Sequence, residues 1–154
     1  MENVLDIISR PLTEEDLKPS LFIDGSVVLF EVAKGELVQD VDEITGENKA
    51  HLDFTLVTCN ETPNNRGKSF PVGYPYHHRI HLRTTSKKGK DITEMVTRRL
   101  AEWRAGCGLP LNQSFGQPED YVGKRVTALM RIKSDEQYGQ QNEIKKFVPP
   151  SVAA

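Results

Sequence analysis

Two stretches of the chain alternate apolar and polar residues with a period of two, and this pattern constrains the fold more than any other feature. The stretches cover residues 51–59 and 125–133. Their apolar positions are Leu52, Phe54, Leu56, Val126, Ala128, Met130 and Ile132. Because successive side chains of a β-strand point to opposite faces, each stretch predicts a strand with one buried face. Half-buried strands of this kind are typical of antiparallel sheets.

Three more segments are rich in β-forming residues, so the sequence predicts five strands. The predicted strands lie at 26–38 (with a bend or bulge at Gly35), 51–59, 76–83, 125–133 and 141–148. Between the third and fourth strands, an apolar stripe ending at Trp103 predicts a helix, with Asp91 and Glu94 as a capping box. This order is that of the OB-fold, a mostly-β, five-stranded Greek-key barrel with one helix between strands three and four. Closure of such a barrel removes the exposed sheet edges.

The length of 154 residues fits one folded domain. We expect an N-terminal arm over 1–20, an OB-fold domain over 21–150 and a short tail over 151–154. The chain has neither an apolar run of the roughly 20 residues needed to cross a bilayer nor the basic start and apolar block of a secretion signal. A cytoplasmic location is therefore expected, with Cys59 and Cys107 as free thiols.

The predicted third strand separates apolar from cationic side chains. One face carries Tyr76, His78, Ile80 and Leu82, and the other carries His77, Arg79, His81 and Arg83. No acidic residue interrupts the second row, although the formal net charge of the chain is −2. The cationic face indicates a local surface for an anionic ligand.

The segments around this strand add further basic and aromatic residues. The long loop over 60–75 precedes it, and the last hairpin carries Tyr138 between two lysines. Binding of single-stranded nucleic acid requires a basic groove for phosphates and flat side chains for exposed bases. The candidate nucleic-acid-binding residues are Arg66, Lys68, Phe70, Tyr74, His77, Arg79, His81, Arg83, Lys133, Tyr138 and Lys145.

Structural roles compete with binding at several of these positions. Arg79 and Arg83 would also fit an ordinary solvated strand face. Phe70 and Tyr74 are equally suited to covering an open end of the core. Tyr138 would also fit a turn. Tyr76 and Trp103 are expected in the core. Asp53 is expected to pair with an Arg of the next strand, and a hydrogen bond to a base is its alternative role.

The sequence shows little that predicts catalysis. It has no phosphate-binding glycine-rich loop before a helix and no metalloprotease or hydrolase motif. His77, His78 and His81 lack a cysteine or acidic ligand nearby, so a metal site is not expected. A pH-sensitive phosphate contact is the alternative role for these histidines, since His titrates near neutrality. We expect a protein that is not an enzyme and has no catalytic residues, metal or cofactor.

Two segments resemble the small OB-fold single-stranded DNA-binding proteins of bacteriophages. They are 120–124, which leads into the fourth strand, and 138–150, which covers the last strand. The resemblance covers roughly residues 25–150. One departure is the C-terminal segment 149–154, which lacks the acidic tail that bacterial single-strand binding proteins use to recruit partner enzymes.

The resemblance implies sequence-tolerant binding of single-stranded DNA during phage DNA replication, recombination or repair. It places the protein in the cytoplasm of a bacterial host and suggests replication or recombination proteins as partners. RNA remains an alternative ligand, since an OB groove accepts either sugar, and a homo-oligomer is an open alternative. The competing function is a protein-interaction module, because the fold alone does not determine function.

Overall fold

The computed structural model describes residues 4–41, 43–44, 46, 48–86, 88–137 and 139–148. Two α-helices lie at α1 (Val4–Ser9) and α2 (Thr93–Gly106), and 3₁₀ turns lie at Glu14–Leu17 and Pro118–Tyr121. The strands are β1 (Val27–Val41), β2 (Asn48–Thr58), β3 (Thr62–Pro63), β4 (Ser69–Phe70), β5 (Pro75–Leu82), β6 (Arg125–Asp135) and β7 (Gly139–Val148). The prediction of a mostly-β protein is confirmed.

The five long strands form one antiparallel sheet with the order β5-β2-β1-β6-β7. The short strands β3 and β4 pair separately. In the part of the chain that the structure describes, β5 and β7 are edges and do not pair with each other. The sheet is therefore open, and the prediction of a closed barrel is wrong.

Side chains occupy the space between the two edges, which explains why no backbone ladder closes the sheet. The hydroxyl of Tyr76 on β5 donates to the carbonyl oxygen of Asn142 on β7 at 3.4 Å. The amide side chain of Asn142 also bonds the backbone of Phe22 in both directions, at 2.7 and 2.9 Å. Further along, the ring of His78 meets the ring of Phe147 edge to face, with 5.5 Å between centroids.

The helix is also placed differently from the prediction. The loop over 60–75 contains β3 and β4, so α2 follows the fifth strand in chain order, not the third, and α1 adds a second helix in the predicted arm. The predicted capping box is absent: α2 begins at Thr93 with no side-chain cap. Instead, the carboxylate of Asp91 accepts the backbone N–H of Thr93 at 2.9 Å.

The central strand β1 has an irregularity where its pairing register with β2 shifts, between Val32 and Lys34. This irregularity lies next to Gly35, where the sequence predicts one. A Cβ atom at Gly35 would lie 2.5 Å from the carbonyl oxygen of Pro118. The 3₁₀ turn that contains Pro118 therefore packs directly on the strand, which only a glycine permits.

The core lies on the inner face of the curved sheet, under α2. Its fully buried large side chains include Trp103, Tyr121, Phe22, Phe30, Phe54, Leu56, Ile80 and Met130. Trp103 stacks on Phe54 with 4.4 Å between ring centroids, which confirms its predicted core position. Burial of an aromatic side chain of this size stabilises the fold by several kcal/mol, since Phe/Trp→Ala changes typically cost ~3–5 kcal/mol.

A buried arginine fixes the connection between α2 and β6. The guanidinium of Arg104 donates to the carbonyl oxygen of Pro110 at 2.6 Å, the side chain of Gln113 at 3.2 Å and the hydroxyl of Tyr121 at 3.2 Å. Tyr121 in turn donates to the carbonyl oxygen of Phe115 at 2.6 Å. These bonds satisfy polar groups that would be costly to bury unpaired.

No helix among the described residues is long and apolar enough to cross a membrane.

Candidate functional site

The outward face of β5 carries the cationic row that the sequence predicts. Ile80 is buried, whereas His77, Arg79 and His81 are exposed on the opposite face, and Arg83 is exposed directly after the strand. Antiparallel pairing with β2 places Thr55, Asp53 and His51 opposite those three exposed residues. The predicted alternation is therefore confirmed.

An acidic residue from the neighbouring strand interrupts this row. One carboxylate oxygen of Asp53 lies 3.1 Å from Nδ1 of His77, and the other lies 3.5 Å from Nε of Arg79. The side chain of Asp53 is only 12% exposed, compared with 52% for His77 and 56% for Arg79. The expected Asp–Arg pair is confirmed. The outward face is consequently less cationic than β5 alone suggests.

Beyond Asp53, the outward residues that β2 and β5 contribute are all basic. His51 and His81 lie opposite each other, with 5.6 Å between ring centroids. Partial burial lowers the pKa of His81, and the positive groups of His51, Arg83, Arg79 and Arg99 lower it further. His51 was not among the sequence candidates, although the strand register would have identified it.

A cleft separates the edge strands β5 and β7 at the end where α2 lies, and we call it the edge cleft. Its volume is about 390 Å³. Its lining residues are Tyr76, His78, Arg79, Ile80, Arg99, Glu102, Arg131, Glu143, Ile144, Lys145, Lys146 and Phe147. Five are cationic and two are acidic, so the cleft is strongly positive within a chain of net charge −2.

Most of this positive charge is not neutralised by neighbours. Arg131 pairs with Glu143, and Arg79 pairs with Asp53. Arg99, Lys145 and Lys146 form no ion pair with any residue that the structure describes. Three cations without ion pairs thus converge on one concave surface, against the single unpaired carboxylate of Glu102 among the described lining residues, and such an excess of positive charge attracts an anionic ligand.

The floor of the edge cleft is uncharged at neutral pH. The ring of His78 stacks on Trp103 with 5.2 Å between centroids. Burial is the main reason that the pKa of His78 falls to about 4, and the charge of Arg99 lowers it further. Burial also raises the pKa of Tyr76 to about 12, so its phenol stays protonated. The floor therefore offers aromatic and neutral polar groups.

A smaller aromatic pocket, of about 240 Å³, lies beyond Tyr76, which lines both cavities. Its other lining residues are Ser20, Leu21, Phe22, Phe70, Tyr74, Pro75, Gln140, Gln141 and Asn142. Phe70 and Tyr74 stack with 4.0 Å between centroids and 17° between planes. Phe70 is only 4% exposed, so it covers the end of the core, whereas Tyr74 is partly exposed. The expectation of Phe70 as an exposed platform for bases does not hold in this structure.

The remaining candidates are dispersed. Nη1 of Arg66 donates to the carbonyl oxygen of Lys18 at 2.6 Å, so this side chain holds the N-terminal segment. Lys68 and Lys133 are exposed and line neither cavity. Tyr138 lies outside the described residues.

The structure brings together only part of the candidate set. Arg79 and Lys145 meet in the edge cleft, and Phe70 and Tyr74 meet in the aromatic pocket. Sequence reasoning missed Arg99, Arg131 and Lys146. No local sequence pattern predicts that Arg99 of α2 belongs to the site, because only tertiary packing brings this residue to the cleft.

The chain matches no protein-family model, no curated protein and no solved structure.

Proposed function

We propose that the protein binds single-stranded nucleic acid, with single-stranded DNA as the principal ligand, and that the strand lies along the edge cleft. Binding is sequence-tolerant and serves phage DNA replication, recombination or repair. The protein acts without catalysis or cofactor. The fold is, in this proposal, an open variant of the OB-fold in which the gap between β5 and β7 receives the ligand.

The observation that carries the proposal is the convergence on the edge cleft of Arg99, Lys145 and Lys146, none of which forms an ion pair with a described residue. Each can neutralise a backbone phosphate and release counterions, which provides affinity independent of base sequence. The cations come from two elements, α2 and β7. A phosphate chain in the cleft would therefore be contacted from both elements.

The aromatic pocket supports a single-stranded ligand over a duplex. Tyr74 is partly exposed at its rim, and Tyr76 joins it to the edge cleft. Base–aromatic stacking contributes about 1–3 kcal/mol per base and tolerates any base. A volume of about 240 Å³ falls below the ~300–1,000 Å³ of sites for drug-sized ligands, so the pocket suits one ring system.

The test is a fluorescence-anisotropy titration with labelled single strands and duplexes over a range of salt concentrations. The triple variant R99Q/K145Q/K146Q removes these three cations. Loss of three phosphate contacts should reduce the salt slope by about 2 and weaken binding about 100-fold near 0.1 M salt.

A matched control is R98Q/K90Q/K124Q, which removes the same charge from exposed residues outside the cleft. Arg98 lies on the same helix as Arg99, so the control also tests for effects on α2 itself. The control variant should keep the affinity of the unmodified protein to within a few-fold. Equal weakening in both triple variants, or equal affinity for single strand and duplex, would refute the proposal.

A second candidate function, a protein-interaction module of a replication or recombination complex, is favoured by the N-terminal segment. α1 buries no side chain, and Leu12 and Leu17 beyond it are 79% and 85% exposed. Exposed aliphatic residues concentrated in one segment are typical of an interaction site. In a pull-down from nuclease-treated host lysate, the protein should lose specific partners when residues 1–18 are deleted. An unchanged set of partners would exclude this function.

A further inference from the structure

Two histidines meet on the outward face of β2 and β5, and three arginines act electrostatically on one of them. His51 and His81 lie opposite each other there, with 5.6 Å between ring centroids. Arg79 precedes His81 on β5, Arg83 follows it just after the strand, and the charge of Arg99 on α2 also acts on His81. His51 and the three arginines thus all act on His81.

The acidic residues near this point contact or lie opposite other basic groups. Asp53 is the neighbour of His51 on the outward face of β2, and it already contacts His77 and Arg79. On β1, the residue opposite His51 is Val38. Glu36 pairs with Lys34, and Asp40 lies opposite Lys49 of β2.

Partial burial and the surrounding basic groups disfavour a proton on His81 in the free protein. Protonating one histidine among three guanidinium groups and a second imidazole is unfavourable, and the pKa of His81 is lowered accordingly. An anion placed between the rings would reverse this balance, because it attracts charge of the opposite sign. A protonated imidazole also offers two N–H donors, whereas a neutral one offers only one.

We propose that His51 and His81, with Arg79, Arg83 and Arg99, form a phosphate-binding site that takes up protons as the phosphate binds. The inference rests on the proposed function, since the ligand is a phosphate of the nucleic-acid backbone. Two of the arginines, Arg79 and Arg99, also line the edge cleft. A single-stranded nucleic acid bound in that cleft can therefore extend over the edge of β5 onto this site.

Proton uptake is measured by titration calorimetry with a single-stranded oligonucleotide, in two buffers that differ in ionisation enthalpy, near pH 7. The protein should take up between about 0.5 and 1 proton per bound strand. Affinity should then increase by up to about tenfold for each unit of pH decrease. The variant H51Q/H81Q should bind more weakly, with almost no proton uptake.

The matched control is His77→Gln, which changes a histidine of the same face whose partner is already Asp53. This control should keep the proton uptake of the unmodified protein. Binding without proton uptake, or with uptake that H51Q/H81Q retains, overturns the inference and leaves the proposed function intact.

Inorganic phosphate distinguishes the backbone from a small ligand. The imidazole resonances of His51 and His81 are followed by NMR during a phosphate titration. If they titrate at higher pH with phosphate while no oligonucleotide binds, the phosphate site stands and nucleic-acid binding fails. If neither phosphate nor oligonucleotide shifts these resonances, the phosphate site itself is refuted.

Discussion

His78 should make the protein lose stability as the pH falls from 7 to 4.5. Its ring stacks on Trp103 and meets the edge of Phe147, and this burial lowers its pKa from 6.5 to about 4. The folded state therefore holds the neutral imidazole, while the unfolded state binds a proton below about pH 6.5. This stabilising contribution is fully present above pH 6.5 and is lost as the pH falls toward 4.

The magnitude follows from the difference between the two pKa values. A full difference of about 2.5 pH units corresponds to about 3.4 kcal/mol, at 1.36 kcal/mol per unit. At pH 4.5 the folded-state imidazole is still mostly neutral, so the loss relative to pH 7 is ~2.5 kcal/mol. That is a large fraction of the ~5–15 kcal/mol by which folded domains are stable.

The assay is urea unfolding at pH 7.0 and pH 4.5, followed by the fluorescence of Trp103, the only tryptophan in the chain. The variant His78→Phe keeps a ring against Trp103 but cannot titrate. Between pH 7.0 and pH 4.5, the unmodified protein should lose about 2.5 kcal/mol more unfolding free energy than His78→Phe does. Carboxylates titrate in both proteins, so the comparison isolates the contribution of residue 78.

His77→Gln is the control, because His77 lies on the opposite, exposed face of the same strand. This variant should retain the pH-dependent loss of the unmodified protein. If His78→Phe and the unmodified protein lose equal stability between pH 7.0 and 4.5, the reasoning about a buried neutral imidazole is wrong.

Two further predictions concern the irregularity of β1 and the charge of the outward face. Gly35→Ala places a Cβ atom 2.5 Å from the carbonyl oxygen of Pro118, so urea unfolding should show a loss of about 1–3 kcal/mol; a loss below ~0.5 kcal/mol would contradict the close packing. Asp53→Asn removes the carboxylate that holds His77 and Arg79 of β5, so single-stranded DNA should bind several-fold more tightly and with a steeper salt slope. Unchanged or weaker binding would show that the outward face does not contact the ligand.

Local patterns in the sequence predicted local features well. The period of two identified β2 and β6 and the outward position of Asp53, because side-chain alternation is a property of the strand itself. The apolar stripe placed Trp103 in the core for a similar reason. These features require no knowledge of which elements are neighbours.

Features that depend on long-range packing were not predictable in the same way. Barrel closure depends on whether β5 and β7 approach closely enough to pair, and the contacts between them, Tyr76 with Asn142 and His78 with Phe147, join residues far apart in the sequence. Arg99 joins the edge cleft only because α2 packs beside β5 and β7. Side-chain alternation could not predict which way Phe70 points, because this residue lies in a two-residue strand within a loop.

The bond between Asn142 and the backbone of Phe22 also limits when the structure can be completed. The two residues are 120 positions apart in the chain. At a synthesis rate of roughly 5–20 residues per second, Phe22 leaves the peptidyl-transferase centre about 6–24 s before Asn142 is added. During that interval the backbone of Phe22 lacks its hydrogen-bond partner Asn142. The aromatic pocket that both residues line therefore forms late in the synthesis of the chain.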